Sequence, residues 1–210
     1  TCPNPGEPFY GQDAQYGDNT QHFTKLDANG DDLPNDTPWP WAMVRDNVTG
    51  LIWEVKEPGD DTQDYNNPHD ADNYYIFYDG VTGTPGNGIG FFDTEQHFIN
   101  ELNTMEFGGF NDWRMPDAKE LTQLVDRGKS VIPRINSDYF PNTQQLGHYW
   151  TSTTEDNAVF RVDFEHGLTF RNHPEQLFYG RAVRGESSAT NLVDNHDGTV
   201  TDYSVSLMWQ

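Results

Sequence analysis

The chain has 210 residues and a formal net charge of −22, so its field repels nucleic-acid phosphates, sulfated glycans and anionic lipids. We therefore expect no nucleic-acid partner. We also expect no membrane span, because no apolar run approaches the roughly 18 residues of a spanning helix. Six Trp, ten Tyr and 13 Phe indicate a folded core. An acidic surface suits calcium-rich or saline surroundings, and we expect a secreted or cell-surface protein.

Residues 1–40 are predicted to form a loop-rich lead-in that contains a hairpin. Pro, Gly, Asn and Asp dominate this stretch, and Asn29-Gly30 lies between residues 23–26 and Leu33. Asn-Gly favours a tight turn because both residues tolerate positive φ. Cys2 has no partner inside the chain, which in a secreted protein indicates that its partner lies outside this fragment.

The main domain is predicted to begin at residue 41. Residues 46–50 supply a turn before a strand at residues 51–55. Residues 57–92 then form a long polar and glycine-rich stretch. A loop of this length in a compact domain is usually functional or mobile.

Two amphipathic helices are predicted next. Asp93 and Gln96 provide a capping box for the first helix, which Gly108 ends. Pro116 opens the second helix, which ends at Gly128. Their apolar residues recur at helical spacing, which is typical of helices that pack one face against a core.

Short strands are predicted after Pro133. Residues 149–152, 158–164 and 168–171 have strand-like patterns, and a turn at residues 165–167 joins the last two into a hairpin. Residues 181–185 are expected to form the closing strand.

The C-terminal segment repeats an earlier one. Residues 201–210 match residues 45–54 at a constant offset of 156, with Asp, Leu and Trp identical. We interpret residues 186–210 as a linker and the start of a second repeat. An inter-subunit segment that allows self-assembly is an alternative, and so are two unrelated edge strands that share a Leu-hydrophobic-Trp pattern.

Six motifs occur in a defined order along the chain. They are Gly-Phe-Asn-Asp-Trp-Arg-Met-Pro at residues 109–116 and the segments at 46–56, 119–121, 140–143, 149–153 and 183–185. Together they resemble the Lcl C-terminal domain family, named for the tip domain of a bacterial collagen-like adhesin. The resemblance implies an α+β domain over residues 41–185 with a C-type-lectin-like fold. In that fold two helices flank small antiparallel sheets, and long loops gather on one side.

The chain departs from this family in two respects. Relatives often carry cysteines in segment 41–44 and just before the 109–116 motif, where this chain has Met43 and Gly108. That disulfide is therefore absent, and packing must replace it. The resemblance also implies an anionic glycan as ligand, which the charge of −22 disfavours. Arg114 is expected to hold loop carbonyls or an acid rather than an anion.

Two loops carry oxygen ligands of the kind calcium prefers, and calcium is the one cofactor that the sequence suggests. Four residues stand at positions 1, 3, 5 and 9 of a calcium-loop-like series, namely Asp27, Asn29, Asp31 and Asn35. Asp32 replaces the glycine at position 6, Pro38 replaces the acid at position 12, and a plain hairpin is the alternative. Asp60, Asp61 and Asp64 belong to a denser acidic cluster, for which a solvated loop is the alternative.

Seven residues are candidates for contact with a ligand. Tyr75, Phe77 and Tyr78 lie in the long loop near carboxylates, where exposed rings can hold a sugar or a partner side chain. Alternatively, alternate rings of residues 74–78 point into a local core, as a strand requires. The other four lie on later strands and turns, where C-type-lectin-like folds carry ligands: His148, Glu165, His166 and His173.

The search for catalytic motifs is negative. The sequence contains no metalloprotease helix, nucleophile elbow or phosphate-binding loop. We therefore expect a non-catalytic extracellular interaction module, a surface adhesin or filament subunit that binds a glycan or a surface protein. A purely structural repeat of a large secreted protein is the second hypothesis. A glycoside-acting enzyme is the third, although 34 acidic residues make any single carboxylate pair uninformative.

Overall fold

The computed structural model describes residues 21–186, 192–196, 198–202 and 207–209. Cys2 and the rest of residues 1–20 lie outside these ranges. The strands within them are, in chain order, β1 (Phe23–Leu26), β2 (Met43–Asp46), β3 (Ile52–Glu54), β4 (Tyr74–Tyr75), β5 (His148–Glu155), β6 (Ala158–Asp163), β7 (Leu168–Asn172), β8 (Phe178–Tyr179), β9 (Val183–Arg184), β10 (Leu192–Asp194), β11 (Val200–Asp202) and β12 (Leu207–Trp209). The helices are α1 (Asn100–Thr104) and α2 (Ala118–Gln123). A π-helical turn (Glu95–Ile99) precedes α1, and a 3₁₀ turn (Phe107–Gly109) follows it.

The described strands form three sheets. The first is antiparallel with the order β1-β2-β3-β9, the second has the order β4-β8-β5-β6-β7, and the third has the order β10-β11-β12. β5 pairs antiparallel with β6 but parallel with β8. The described chain is therefore mostly β with short helices, which agrees in outline with the expected α+β class. No helix in the described ranges has the length and apolar character needed to cross a membrane.

The strands at the end of the main domain follow the sequence pattern closely. β6 and β7 form the predicted hairpin, paired from Val159 with Asn172 to Asp163 with Leu168. The predicted closing strand is β9, which pairs antiparallel with β3. The chain thus returns to the sheet in which the main domain began.

The first helical segment begins with half of the predicted capping box, because the N–H of Asp93 donates to Nδ1 of His97 at 3.2 Å rather than to Gln96. Oδ1 of Asp93 accepts hydrogen bonds from the backbone N–H groups of Gln96 at 2.6 Å and Glu95 at 3.0 Å. The segment is interrupted before Gly108, because Glu106 adopts a left-handed conformation with a φ of 51°. The predicted single helix is therefore a π-helical turn, α1 and a separate 3₁₀ turn.

The second helix is shorter than the sequence predicted. It begins at Ala118, and Asp117 is its N-cap in a capping box with Glu120. Pro116 lies just outside the helix, where its carbonyl accepts a hydrogen bond from the N–H of Ser152 at 2.7 Å. The helix ends at Gln123 rather than at Gly128.

Two apolar clusters form the core. Tyr149, Val162 and Leu121 of α2 belong to the first cluster. Trp150 and Val159 belong to the second, together with Leu102 of α1. Neighbouring residues of β5 thus enter different clusters, as the alternation of side chains along a strand requires.

A buried ion cluster joins β3 to the segment before β9. Glu54 is fully buried, and its Oε1 lies 3.0 Å from both Lys56 Nζ and His69 Nδ1. Arg181 donates a hydrogen bond to the backbone carbonyl of Glu54 at 3.0 Å. Burial alone would raise the pKa of Glu54, but Lys56 and His69 outweigh burial and lower that pKa to about 2. Glu54 is therefore ionised inside the core.

Met43 fills the space beside Gly108. A Cβ atom placed on Gly108 would lie 2.5 Å from Cε and 2.6 Å from Sδ of the fully buried Met43. The two positions singled out by the resemblance are thus neighbours in space. Packing of a flexible thioether takes the place of the disulfide there.

The third sheet reproduces the strand pairing of the first. Val44 pairs with Trp53, and at the offset of 156 Val200 pairs with Trp209. The next pairs correspond in the same way, and β10 pairs with β11 as β1 pairs with β2. The second repeat and the domain boundaries at residues 40 and 186 stay predictions, and the shared register is what a repeat would show.

Candidate functional site

The first predicted calcium series is divided between two places. The carboxylate of Asp27 accepts hydrogen bonds from the N–H groups of Asp31 at 2.9 Å and Asn29 at 2.8 Å, and these bonds lower the pKa of Asp27. The turn they close leads to an antiparallel bridge between Leu26 and Asp32, which is the hairpin considered as the alternative. Asn35 lies apart, in a separate cavity that Lys25 and Asp138 also line.

The second predicted calcium cluster lies on exposed loop residues. Asp60 accepts a hydrogen bond from the N–H of Thr62 at 3.1 Å, and Asp64 accepts two from Asn66. The N–H of Asp61 donates to the carboxylate of Asp72. The carboxylates of Asp60 and Asp64 thus close local turns, and calcium binding by this loop stays a prediction.

The three candidate rings of the long loop have different environments. Tyr75 and Phe77 are 0% and 1% exposed and belong to the second apolar cluster. Tyr75 stacks on Phe98 with ring centroids 5.1 Å apart. These two rings are core residues, as the alternative interpretation expected. Tyr78 is partly exposed and lines a cavity.

Three of the candidate residues on the later strands come together around Asp163. Its carboxylate accepts hydrogen bonds from the N–H groups of Glu165 at 2.6 Å and His166 at 3.1 Å, and it lies 2.9 Å from His166 Nδ1. Nε2 of His166 lies 3.6 Å from the Glu165 carboxylate. His148 is adjacent, with its Nδ1 2.6 Å from a guanidinium nitrogen of Arg161.

This group offers three potential metal ligands. One ligand atom each of Asp163, Glu165 and His166 lies within 4.8 Å of the others. The Asp163 oxygens, however, already accept the hydrogen bonds that close the turn between β6 and β7. Burial and the charge of Arg161 lower the pKa of His148, which favours its neutral ring. His173 lies outside this group, and its Nδ1 is 3.9 Å from Glu175.

A cavity of 330 Å³, here called the Tyr78 cavity, opens where four segments of the chain meet. Tyr78 is held by its backbone, which exchanges two hydrogen bonds with the buried hydroxyl of Thr94 at 2.8 and 3.0 Å. The polar residues that line the cavity are Tyr78, Asp79, Glu95, Asn100, Asn103, Arg114 and Ser152.

The Tyr78 cavity combines negative charge with fixed hydrogen-bonding groups. Burial raises the pKa of Glu95, and the neighbouring charges of Asp79 and Asp93 raise it further. Arg114 is bound to both oxygens of Glu120 at 2.7 and 2.8 Å. The cavity can therefore accept hydrogen bonds through its carboxylates, while the positive charge of Arg114 is already paired.

Most polar residues of this cavity were not predicted from the sequence as ligand contacts. Asp79, Glu95 and Asn100 lie outside the six motifs, whereas Ser152 belongs to the 149–153 motif. The expected role of Arg114 is confirmed, because it holds Glu120 and also donates to the carbonyl of Gly185 at 3.0 Å. The positions of Arg114 in the 109–116 motif and of Ser152 in the 149–153 motif were the available signals.

The motifs and their spatial arrangement now fit one family. The family model of the Lcl C-terminal domain matches residues 42–184. The chain belongs to the Lcl C-terminal domain family. Neither a curated protein nor a solved structure matches the chain. The match to the Lcl C-terminal domain spans β2 to β9, both helices and every residue that lines the Tyr78 cavity, while β1 lies before it.

Proposed function

We propose that this Lcl C-terminal domain protein is a non-catalytic, extracellular interaction module of a bacterial surface adhesin, and that it binds a neutral glycan in the Tyr78 cavity. One observation carries the proposal. The cavity places a partly exposed ring beside two carboxylates, one of which has a raised pKa because it is partly withdrawn from water. A concave site with convergent polar groups is the usual form of a small-ligand site.

The chemistry of the lining favours a neutral ligand with many hydroxyl groups. Carboxylates of Asp79 and Glu95 accept hydrogen bonds from hydroxyls, and the amide of Asn100 and the hydroxyl of Ser152 add donors and acceptors. Tyr78 supplies an apolar ring surface for the C–H face of a sugar. An anionic glycan would meet the two carboxylates and the charge of −22.

The proposal is tested by a glycan array with the whole chain and two variants. We expect binding to neutral glycans, lost in Tyr78→Ala and weakened in Glu95→Gln. Phe170→Ala, which removes a 39% exposed ring outside the cavity, is the matched control and should bind normally. Absence of binding to any neutral glycan would overturn the proposal and favour the purely structural repeat.

Glycoside hydrolysis is the second candidate, and the same cavity favours it. Glycosidases use two carboxylates, one of which is protonated because its pKa is raised. The specific observation in favour is the raised pKa of Glu95 in a cavity that Asp79 also lines, because a carboxylate pair alone is uninformative in so acidic a chain. An assay for reducing sugar released from bound glycans separates the two candidates. The binding proposal expects no release of sugar, whereas hydrolysis that is lost in Glu95→Gln would establish glycosidase activity.

We also propose that the fold is C-type-lectin-like. Two features support this: α1 and α2 pack on separate clusters of the core, and β9 returns to β3 at the start of the domain. Long segments without regular structure connect these elements. A crystal structure of the chain tests this fold assignment. A strand order other than β1-β2-β3-β9 in the first sheet or β4-β8-β5-β6-β7 in the second would refute it.

Calcium is proposed as the cofactor of the exposed acidic turns around Asp27 and Asp64. Cations that bind only the folded state raise the midpoint of unfolding by mass action. Thermal unfolding with calcium and with magnesium as control tests this. An unchanged midpoint in calcium contradicts the assignment.

A further inference from the structure

A second cavity has a different chemistry from the Tyr78 cavity. It measures 250 Å³ and is lined mainly by aromatic and apolar side chains. We call it the Trp39 cavity, after the indole that bounds it. The residues used below are Trp39, Trp41, His69, Phe107, Asp27 and Glu57.

The rings of the Trp39 cavity are arranged as the walls of a box. Trp39 and Trp41 stand nearly perpendicular, with ring centroids 5.2 Å apart and an interplanar angle of 75°. Phe107 lies against His69, with centroids 4.2 Å apart. Hydrogen bonds fix two of the walls: Trp41 Nε1 donates to the carbonyl of Tyr139 at 3.0 Å, and His69 Nδ1 lies 3.0 Å from Glu54. The rings are thus held in place by the fold.

The charge of the Trp39 cavity is negative. Asp27 and Glu57 line it, and neither Lys nor Arg is among its lining residues. Lys25, which does not line this cavity, has its Nζ 3.9 Å from the ring centroid of Trp41, so this indole already takes part in one cation–π contact.

Aromatic walls with carboxylates favour one class of ligand. A methylated ammonium group has no N–H to satisfy, presents methyl groups to the rings and carries the charge that Asp27 and Glu57 complement. A neutral sugar would leave most of its hydroxyl groups without partners against the apolar walls, and an anion would meet two carboxylates. We infer that the Trp39 cavity binds a small trimethylammonium ligand, at a site separate from the proposed glycan site.

Titration of the whole chain with choline chloride, followed by calorimetry or by indole signals in NMR, tests the inference. We expect saturable choline binding. Dimethylbutanol, the uncharged isostere of choline, should bind about tenfold more weakly. It has the same shape but no positive charge, so it loses the cation–π interaction with the rings and the attraction to the carboxylates. Equal affinities for choline and dimethylbutanol would overturn the inference. Binding that fails to saturate at choline concentrations far above the millimolar range would also overturn it.

Three variants complete the test. Glu57→Gln removes one charge from the exposed rim and should weaken choline binding several-fold without affecting the fold. Trp39→Ala should abolish binding, with circular dichroism as the check on folding. Glu175→Gln makes the same charge change outside the cavity and should bind choline normally. Tyr78→Ala should also bind choline normally, so failure of the glycan proposal and failure of this inference are distinguishable.

Discussion

Arg114 and Glu120 form a two-point ion pair, in which guanidinium nitrogens lie 2.7 and 2.8 Å from the two carboxylate oxygens. Glu120 is 3% exposed and also accepts a hydrogen bond from the N–H of Asp117 as part of the α2 capping box. Arg114 in turn pairs by its backbone with Val183 of β9. The pair therefore connects the start of α2 to the strand that closes the first sheet.

Replacing Glu120 by Gln is expected to lower the free energy of unfolding by about 2–4 kcal/mol. The amide leaves the partly buried Arg114 without its counter-charge, and removal of one member of a buried pair is costly. Urea unfolding of the two proteins measures the loss. Glu155→Gln, which breaks an exposed pair with Arg171, should cost less than about 0.5 kcal/mol. Equal losses in the two variants would contradict the structural role of Glu120.

The stability of the domain is expected to fall as the pH falls from about 5 towards 2. The folded-state pKa of Glu54 is about 2, below the ordinary value of 4.5, so the unfolded chain takes up a proton first. The contribution of Glu54 is thus present above its ordinary pKa and lost on acidification. Urea unfolding at a series of pH values checks this. Glu54→Gln should flatten the profile in that range, and an unchanged slope would contradict the prediction.

Gly180→Ala is expected to destabilise the protein by about 1–3 kcal/mol through overpacking. A Cβ at this position would lie 2.6 Å from Cε1 of Phe98, a fully buried ring that stacks on Tyr75. Thermal or urea unfolding measures the effect. Gly90→Ala is the control, because nothing lies within 4 Å of its Cβ and the change should stay within about 0.5 kcal/mol.

A chain shortened to end at Glu186 is expected to unfold at the same temperature as the full chain. Among the described strands, β10, β11 and β12 pair only with one another. In the described part of the chain, no strand of the first two sheets is thus completed by a strand of the third. Scanning calorimetry compares the two chains, and a lower or broader transition in the shortened chain would mean that the third sheet stabilises the main domain.

Local patterns were sufficient where one short segment determines the structure. The β6–β7 hairpin followed from alternation and its turn, and Asp93 accepts the one bond of the predicted capping box that the structure contains. The lengths of the helices were harder to predict from the sequence. Spacing of apolar residues does not reveal that Glu106 adopts a left-handed conformation or that the second helix begins at Ala118, after an Asp117 N-cap, rather than at Pro116.

The candidate site was only partly predictable, for two physical reasons. Alternation explains the burial of Tyr75 and Phe77 but not that of Ile76 between them, because this segment is covered on both sides. The Tyr78 cavity gathers Asp79, Glu95 and Ser152 from distant parts of the chain, and their spacing in the sequence carries no sign of their proximity. The family motifs instead mark residues such as Trp53 and Trp150, which are 1% and 0% exposed and build the core.

The contact between Met43 and Gly108 frees the domain from dependence on its redox surroundings. With a single cysteine in the sequence, no disulfide can form within the chain. The stability contributed by the Met43 thioether packing and by the buried Glu54 cluster depends on temperature and pH, but thiol reagents do not change it. Folding of the domain is therefore expected to proceed equally well under reducing and under oxidising conditions.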